Sequence, residues 1–140
     1  HDPRVLDYGE EAVAALGAPA QRVFKTLVVQ IDGREAVAIL PVPRKMQLRK
    51  VAQALGAKQA ELASSALAER RTGYVLGGIS PFGQRSRLPM VVDASILGSE
   101  MVFGSGGRRG VDLELRSADL ISACSAVVAA ITMGNTGDPA

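Results

Sequence analysis

Gly73-Tyr74-Val75-Leu76-Gly77-Gly78-Ile79-Ser80-Pro81-Phe82-Gly83-Gln84 sets four glycines, a serine and a proline directly after a short apolar segment. Glycine tolerates positive φ and lets a ligand approach main-chain N–H groups with no Cβ in the way, and Pro81 stiffens the turn after Ser80. Two readings fit such a run: a tight loop between strands, or a backbone built to hold a ligand. The spacing matches neither Gly-x-Gly-x-x-Gly nor a P-loop, because no Lys-Ser/Thr pair follows the glycines. A dinucleotide or nucleoside-triphosphate site is therefore not expected.

The run sits in a chain of 140 residues, the size of one domain with its own core. Hydrophobic residues make up 47% and charged residues 21%, but aromatics only 4%, so aliphatic side chains must fill the interior. No apolar run is long enough to span a bilayer, and the His1, Asp2, Arg4 start has neither the charge order nor the apolar core of a signal peptide. A soluble, cytoplasmic protein is the expectation. Cys124 is the single cysteine, which rules out an internal disulfide and a cysteine zinc site, and it is expected to pack as a small hydrophobe. His1 is the single histidine, so a Ser-His-Asp or Cys-His arrangement has no convincing base. No His/Cys/carboxylate group has ligand spacing, and neither a metal nor a cofactor is expected.

Net charge is only +2, yet the basic residues come in groups: Arg44, Lys45, Arg49 and Lys50; Arg70 and Arg71; Arg85 and Arg87; Arg108 and Arg109. Each pair alone reads as a solvated surface. Arg85, Arg87, Arg108 and Arg109 flank the glycine-rich segments, where an RNA backbone would lie, and are candidates for phosphate contact, more so than Arg70 and Arg71.

Along the chain, Ala12, Val13 and Leu16 at helical spacing before Gly17 predict a short helix over 10–16. Residues 22–30 and 35–40 read as strands of a hairpin turning at Asp32-Gly33, with Pro41 and Pro43 ending the second. A helix follows over 48–55, ended by Gly56. Another, capped by Ser64 or Ser65, runs to about Arg71 and is closed by Gly73. Short strands are expected at 90–92 and 101–103, with a helical turn over 94–97 between them. A second glycine loop is then expected over 105–110, a strand over 111–115, a Ser117-capped helix over 118–123, a strand over 127–132 and a disordered tail from Met133. The alternation predicts an α/β or α+β domain around a mixed sheet.

Lys25 shares a strand face with Val23 and Leu27, so it either reaches solvent from an edge or points into a concave site. Together, Phe24-Lys25-Thr26-Leu27, the Gly77-to-Gly83 run and Ser105-Gly106-Gly107-Arg108-Arg109-Gly110 resemble, in that order, the motifs of the YbaK family of aminoacyl-tRNA deacylases. The resemblance extends from His1-Asp2-Pro3 to about Leu120. Its Gly-Gly-Ile-Ser-Pro-Phe-Gly form is similar to the branch that hydrolyses Cys-tRNA(Pro); relatives clear alanine or are inserted in prolyl-tRNA synthetases.

The resemblance implies a compact domain over 1–132 with a strongly curved, barrel-like sheet, and a tail over 133–140. Family members carry a further helix and strand ahead of His1-Asp2-Pro3, so the sequence is expected to be either a fragment or a member without that piece of pocket wall. It implies that Lys25 faces the pocket and anchors the 3′-terminal ribose and phosphate, and that main-chain N–H groups at Gly77 and Gly78 form an oxyanion hole. Thr26, Ser80, Pro81 and Ser105 would contact substrate, and Asp112 would bind the amino-acid ammonium. Tyr74 or Phe82 would either stack on the terminal adenine or pack beneath the loop. With no base in view, the thiol of a cysteinyl substrate would attack its own ester; for alanine a positioned water would do so. The implied partners are the aminoacylated end of tRNA(Pro) and prolyl-tRNA synthetase, with no membrane. A non-catalytic tRNA-binding module and a small-molecule hydrolase stand as the other readings.

Overall fold

The computed structural model describes residues 13–74, 79–82, 84, 87–108 and 111–133. A five-stranded sheet in the order β3 (Ala60–Leu62), β1 (Phe24–Ile31), β2 (Arg34–Pro41), β4 (Met90–Asp93) and β7 (Val127–Ala129) carries most of the core, and a separate ribbon of β5 (Met101–Arg108) and β6 (Val111–Arg116) stands beside it. β1 (Phe24–Ile31) and β2 (Arg34–Pro41) form the expected hairpin, paired over their full length from Phe24 with Pro41 to Ile31 with Arg34. The turn between them needs left-handed backbone at both residues, φ 48° at Asp32 and 82° at Gly33, which an aspartate and a glycine tolerate best. Asp32 is held there because its carboxylate accepts from the amides of Lys58 and Gln59.

β4 (Met90–Asp93) lies parallel to β2, and β7 (Val127–Ala129) parallel to β4. Parallel strands covered on both faces should be apolar at every position rather than alternately, and Val37 to Leu40 and Met90 to Val92 are all buried. One face packs Val37, Ile39, Met90 and Val92 against Ile96, Val102 and Leu120. The other packs Ala36, Ala38, Leu40 and Val91 against Val51 and Ile131. Helix α1 (Leu48–Ala54) covers that second face through Val51, and α3 (Ser117–Cys124) covers the first through Leu120.

Several expectations change. The strands form an open sheet with β3 and β7 at its edges, so the described residues do not close into a barrel. β5 runs from Met101 to Arg108 and absorbs most of the second glycine segment, because β6 (Val111–Arg116) satisfies its backbone across a register shift between Ser105 and Arg108. Ser117 is the first residue of α3 rather than its cap, and its hydroxyl donates to the Ser99 carbonyl. β3 (Ala60–Leu62), not anticipated, pairs with the end of β1. The last strand ends at Ala129, and Met133 donates its amide to the Lys45 carbonyl at 2.8 Å. Residues 13–16 are helical; the rest of that predicted helix, and 134–140 of the predicted tail, lie outside the described residues.

Candidate active site

β1 is bonded along one edge by β2. Its other edge is taken by β3 only at Val29–Ile31, and Val23, just ahead of it, makes an isolated parallel bridge to Phe103 of β5. Between those points no described strand pairs with it, although the Ala63 amide donates to the Val28 carbonyl. Lys25 and Thr26 stand in this opening. Lys25 follows Val23 of the bridge by two residues, as Ser105 follows Phe103, and Ser105 is the ladder partner of Asp112 across β5 and β6. As ladder partners, Ser105 and Asp112 project to the same side of their ribbon.

Burial of the Lys25 ammonium lowers its pKa, and its Nζ donates to the Val42 carbonyl at 3.2 Å. Burial also raises the pKa of Asp112. A half-buried cation and a half-buried anion suit a substrate that carries both signs.

Thr26 projects to the opposite side of β1 from Lys25. Its neighbours on that side, Phe24 and Val28, receive the first glycine run: Phe82 packs against the cluster containing Phe24, and Ile79 packs with Val28 and Ala68. Local chemistry positions that run. α2 (Ser65–Thr72) is capped by the Ser64 hydroxyl, which accepts from the Leu67 amide, and ends on Gly73 at φ 84°. The Thr72 hydroxyl then accepts from the Tyr74 amide at 3.2 Å. The Tyr74 hydroxyl donates to the Phe82 carbonyl, and the Tyr74 ring lies 3.1 Å from the point a Cβ on Gly107 would occupy. Gly107 has φ 107°, and its amide donates to the Ser105 hydroxyl at 3.2 Å. The two glycine motifs therefore touch through one tyrosine, and Tyr74 packs between them.

Ser80 is buried; its hydroxyl accepts from the Phe82 amide at 3.2 Å, and its carbonyl accepts from Gln84 Nε2 at 2.9 Å. Pro81 is buried beside it. Gln84 escaped the sequence reading, since a glutamine after a glycine run carries no signal until its amide is seen clamping the turn. Pro81, Phe82, Gln84, Arg87, Met90, Cys124 and neighbours line a cleft of about 450 Å³. Burial pushes the Cys124 thiol up to about 11, so it packs as an inert hydrophobe.

Gly77, Gly78, Arg85 and Arg109 lie outside the described residues, as does the Arg108 side chain. Arg87 is exposed. Arg71 is committed to the fold, its Nε 2.9 Å from Glu35. Asp93 is likewise structural: buried, it accepts from the Ile131 amide at 2.9 Å and from the amide and hydroxyl of Ser95. Among the described residues no group of three His, Cys, Asp or Glu side chains has metal-binding geometry, and no helix is long and apolar enough to cross a membrane.

The model of the aminoacyl-tRNA editing domain matches residues 2–123. EbsC of Enterococcus faecalis, provisionally named a Cys-tRNA(Pro)/Cys-tRNA(Cys) deacylase, is 32% identical over 124 residues, 88% of this chain and 76% of EbsC. A proline–tRNA ligase of Geobacter metallireducens is 30% identical over 111 residues, 79% of this chain but only 19% of the ligase. A crystal structure described as a provisionally assigned trans-editing enzyme for prolyl-tRNA synthetase superposes with a TM-score of 0.83 at 25% identity, covering 90% of this chain and 80% of that one.

Proposed function

The chain belongs to the aminoacyl-tRNA editing domain family and is an aminoacyl-tRNA deacylase, and from that premise we propose that it clears mischarged Cys-tRNA(Pro) in trans, as a soluble cytoplasmic enzyme. The observation that carries the reading is that burial perturbs a cation on β1, Lys25, and an anion, Asp112, whose ladder partner is Ser105. An aminoacyl ester on a 3′-terminal ribose is a ligand with an ammonium at one end and phosphate at the other. Asp112 takes the ammonium, with the Ser105 hydroxyl beside it, and Lys25 takes the ribose and phosphate.

The ester is already reactive, so the protein must orient it and stabilise the tetrahedral oxyanion. Main-chain N–H groups of Gly77 and Gly78 supply that stabilisation, on a segment bounded by Tyr74 against Gly107 and by Ile79 against Val28. Thr26, Ser80 and Pro81 shape the wall on the loop side. With a cysteinyl substrate the thiol sulfur bonds to the ester carbon, the bond from that carbon to the ribose oxygen breaks, the thiol proton passes to that oxygen to leave the ribose hydroxyl, and water opens the cyclic thioester to free cysteine. Arg85, Arg87, Arg108 and Arg109 contact the RNA backbone near the loops. The 32% identity to EbsC, whose name carries Cys-tRNA(Pro), favours cysteine over alanine, and the similarity to prolyl-tRNA ligases favours association with that synthetase.

Release of labelled amino acid from Cys-, Ala- and Pro-tRNA(Pro), with Lys25→Ala alongside, tests this. Fast release of cysteine that falls by about 100-fold in Lys25→Ala, roughly 2.7 kcal/mol of transition-state stabilisation, supports it. Release of alanine alone moves the substrate to the alanine branch, and tRNA binding with no release from any of the three favours a non-catalytic module.

A further inference from the structure

The open end of the β1–β2 hairpin carries a second group of cations that the site above does not use. Chain 42–47 is fastened on two sides. The Val42 amide donates to the Val23 carbonyl at 2.8 Å, and the Gln47 amide to the Ile131 carbonyl at 2.7 Å. Met46 bridges Thr132, and the Met133 amide closes on the Lys45 carbonyl. On this fixed platform Arg44 Nη1 donates to the Thr132 hydroxyl at 3.4 Å, while Lys50 Nζ, from the first turn of α1, donates to the Thr132 carbonyl at 3.1 Å. A guanidinium and an ammonium thus converge on one residue, with Lys45 and Arg49 exposed next to them in sequence.

Such an arrangement repels itself. Among the described residues no carboxylate pairs with Arg44, Lys45, Arg49 or Lys50; the ion pairs there are Arg71 with Glu35 and Arg116 with Glu100. Arg44 Nε is held instead by the neutral Gln21 side chain at 3.2 Å. Like charges fixed together by neutral partners favour an external anion. The platform also leads to the candidate site, because the Val42 carbonyl that receives Lys25 Nζ is two residues from Arg44. Spaced cations on a rigid ledge, ending at a half-buried lysine, match a run of phosphates better than a single small anion.

We propose that Arg44, Lys45, Arg49 and Lys50 form the track on which the phosphates of the tRNA acceptor end lie, delivering the terminal nucleotide to Lys25. This rests on the tRNA reading of the site and adds a surface distinct from the arginines beside the glycine loops.

The test is binding of uncharged tRNA(Pro), read by fluorescence anisotropy between about 50 and 200 mM salt. Lys45→Gln/Arg49→Gln removes two exposed charges that no described hydrogen bond uses, so the fold is undisturbed; Arg44→Gln/Lys50→Gln probes the pinned pair. Arg34→Gln/Lys58→Gln removes the same charge at the turn end of the hairpin, about 23 Å away along seven strand residues. Each platform pair is expected to weaken binding roughly tenfold and to lower the slope of log Kd against log salt by about 1.4, while the distant pair stays within about twofold of wild type. An unchanged slope in Lys45→Gln/Arg49→Gln, or an equal loss in the distant pair, overturns the track. Were wild type to deacylate tRNA with platform variants unaffected, only this proposal would fall; were wild type not to bind tRNA, both would.

Discussion

At the scale of single residues, Lys25 works against the fold it sits in. Desolvation lowers its pKa, so the folded protein holds that proton less tightly than the unfolded chain. The sign follows from linkage: the unfolded state binds more protons between the lowered folded value and about 10.4, so stability rises with pH across that window. The penalty applies wherever the buried ammonium is charged in the folded protein. Lys25→Met is therefore expected to melt at or above the wild-type temperature at pH 7, with the gap closing toward pH 10, while deacylation is lost. A lower melting temperature at pH 7 would show that the bond to the Val42 carbonyl outweighs desolvation. Gly107 makes the opposite kind of claim. At φ 107° any Cβ is strained, and here it would also press the Tyr74 ring. Gly107→Ala is expected to lose about 1–3 kcal/mol of stability in urea denaturation and to lose activity with it, since the same contact joins the two glycine motifs.

The elements show which local signals sufficed. Asp32-Gly33 specified the hairpin turn, and Ser64 with Gly73 specified both ends of α2, because caps and turns are settled by contacts within a few residues. Pairing between distant segments was not readable in that way. Ala60–Leu62 has too few residues to display a period and becomes β3 only by bonding to Val29–Ile31. Ser105–Arg108 reads as a glycine loop until β6 satisfies its backbone. Asp93 ties the end of β4 to Ser95 and to Ile131, a link across 38 residues that no local pattern displays. Asp93→Ala leaves the buried Ile131 amide without an acceptor and is expected to cost about 3 kcal/mol or more, measured as a shift in the urea midpoint.

Across the whole molecule, β2 and β4 feed alternate residues into cores on both faces of one sheet, so neither core forms without the other. Ile39→Ala and Leu40→Ala point to opposite faces; each is expected to remove about 2–5 kcal/mol and to shift one common unfolding transition. A split transition in either variant, followed by calorimetry, would show that the faces are independent. The hairpin turn and the ends of α2 were legible from the chain because each depends on neighbours within a turn or two. The open rather than closed sheet, the opening along β1, the pairing of Ser105 with Asp112 and the convergence of Arg44 and Lys50 on Thr132 were decided only in three dimensions. Strand register and desolvation depend on which distant segments come to lie side by side, and no local pattern in a single chain encodes that choice.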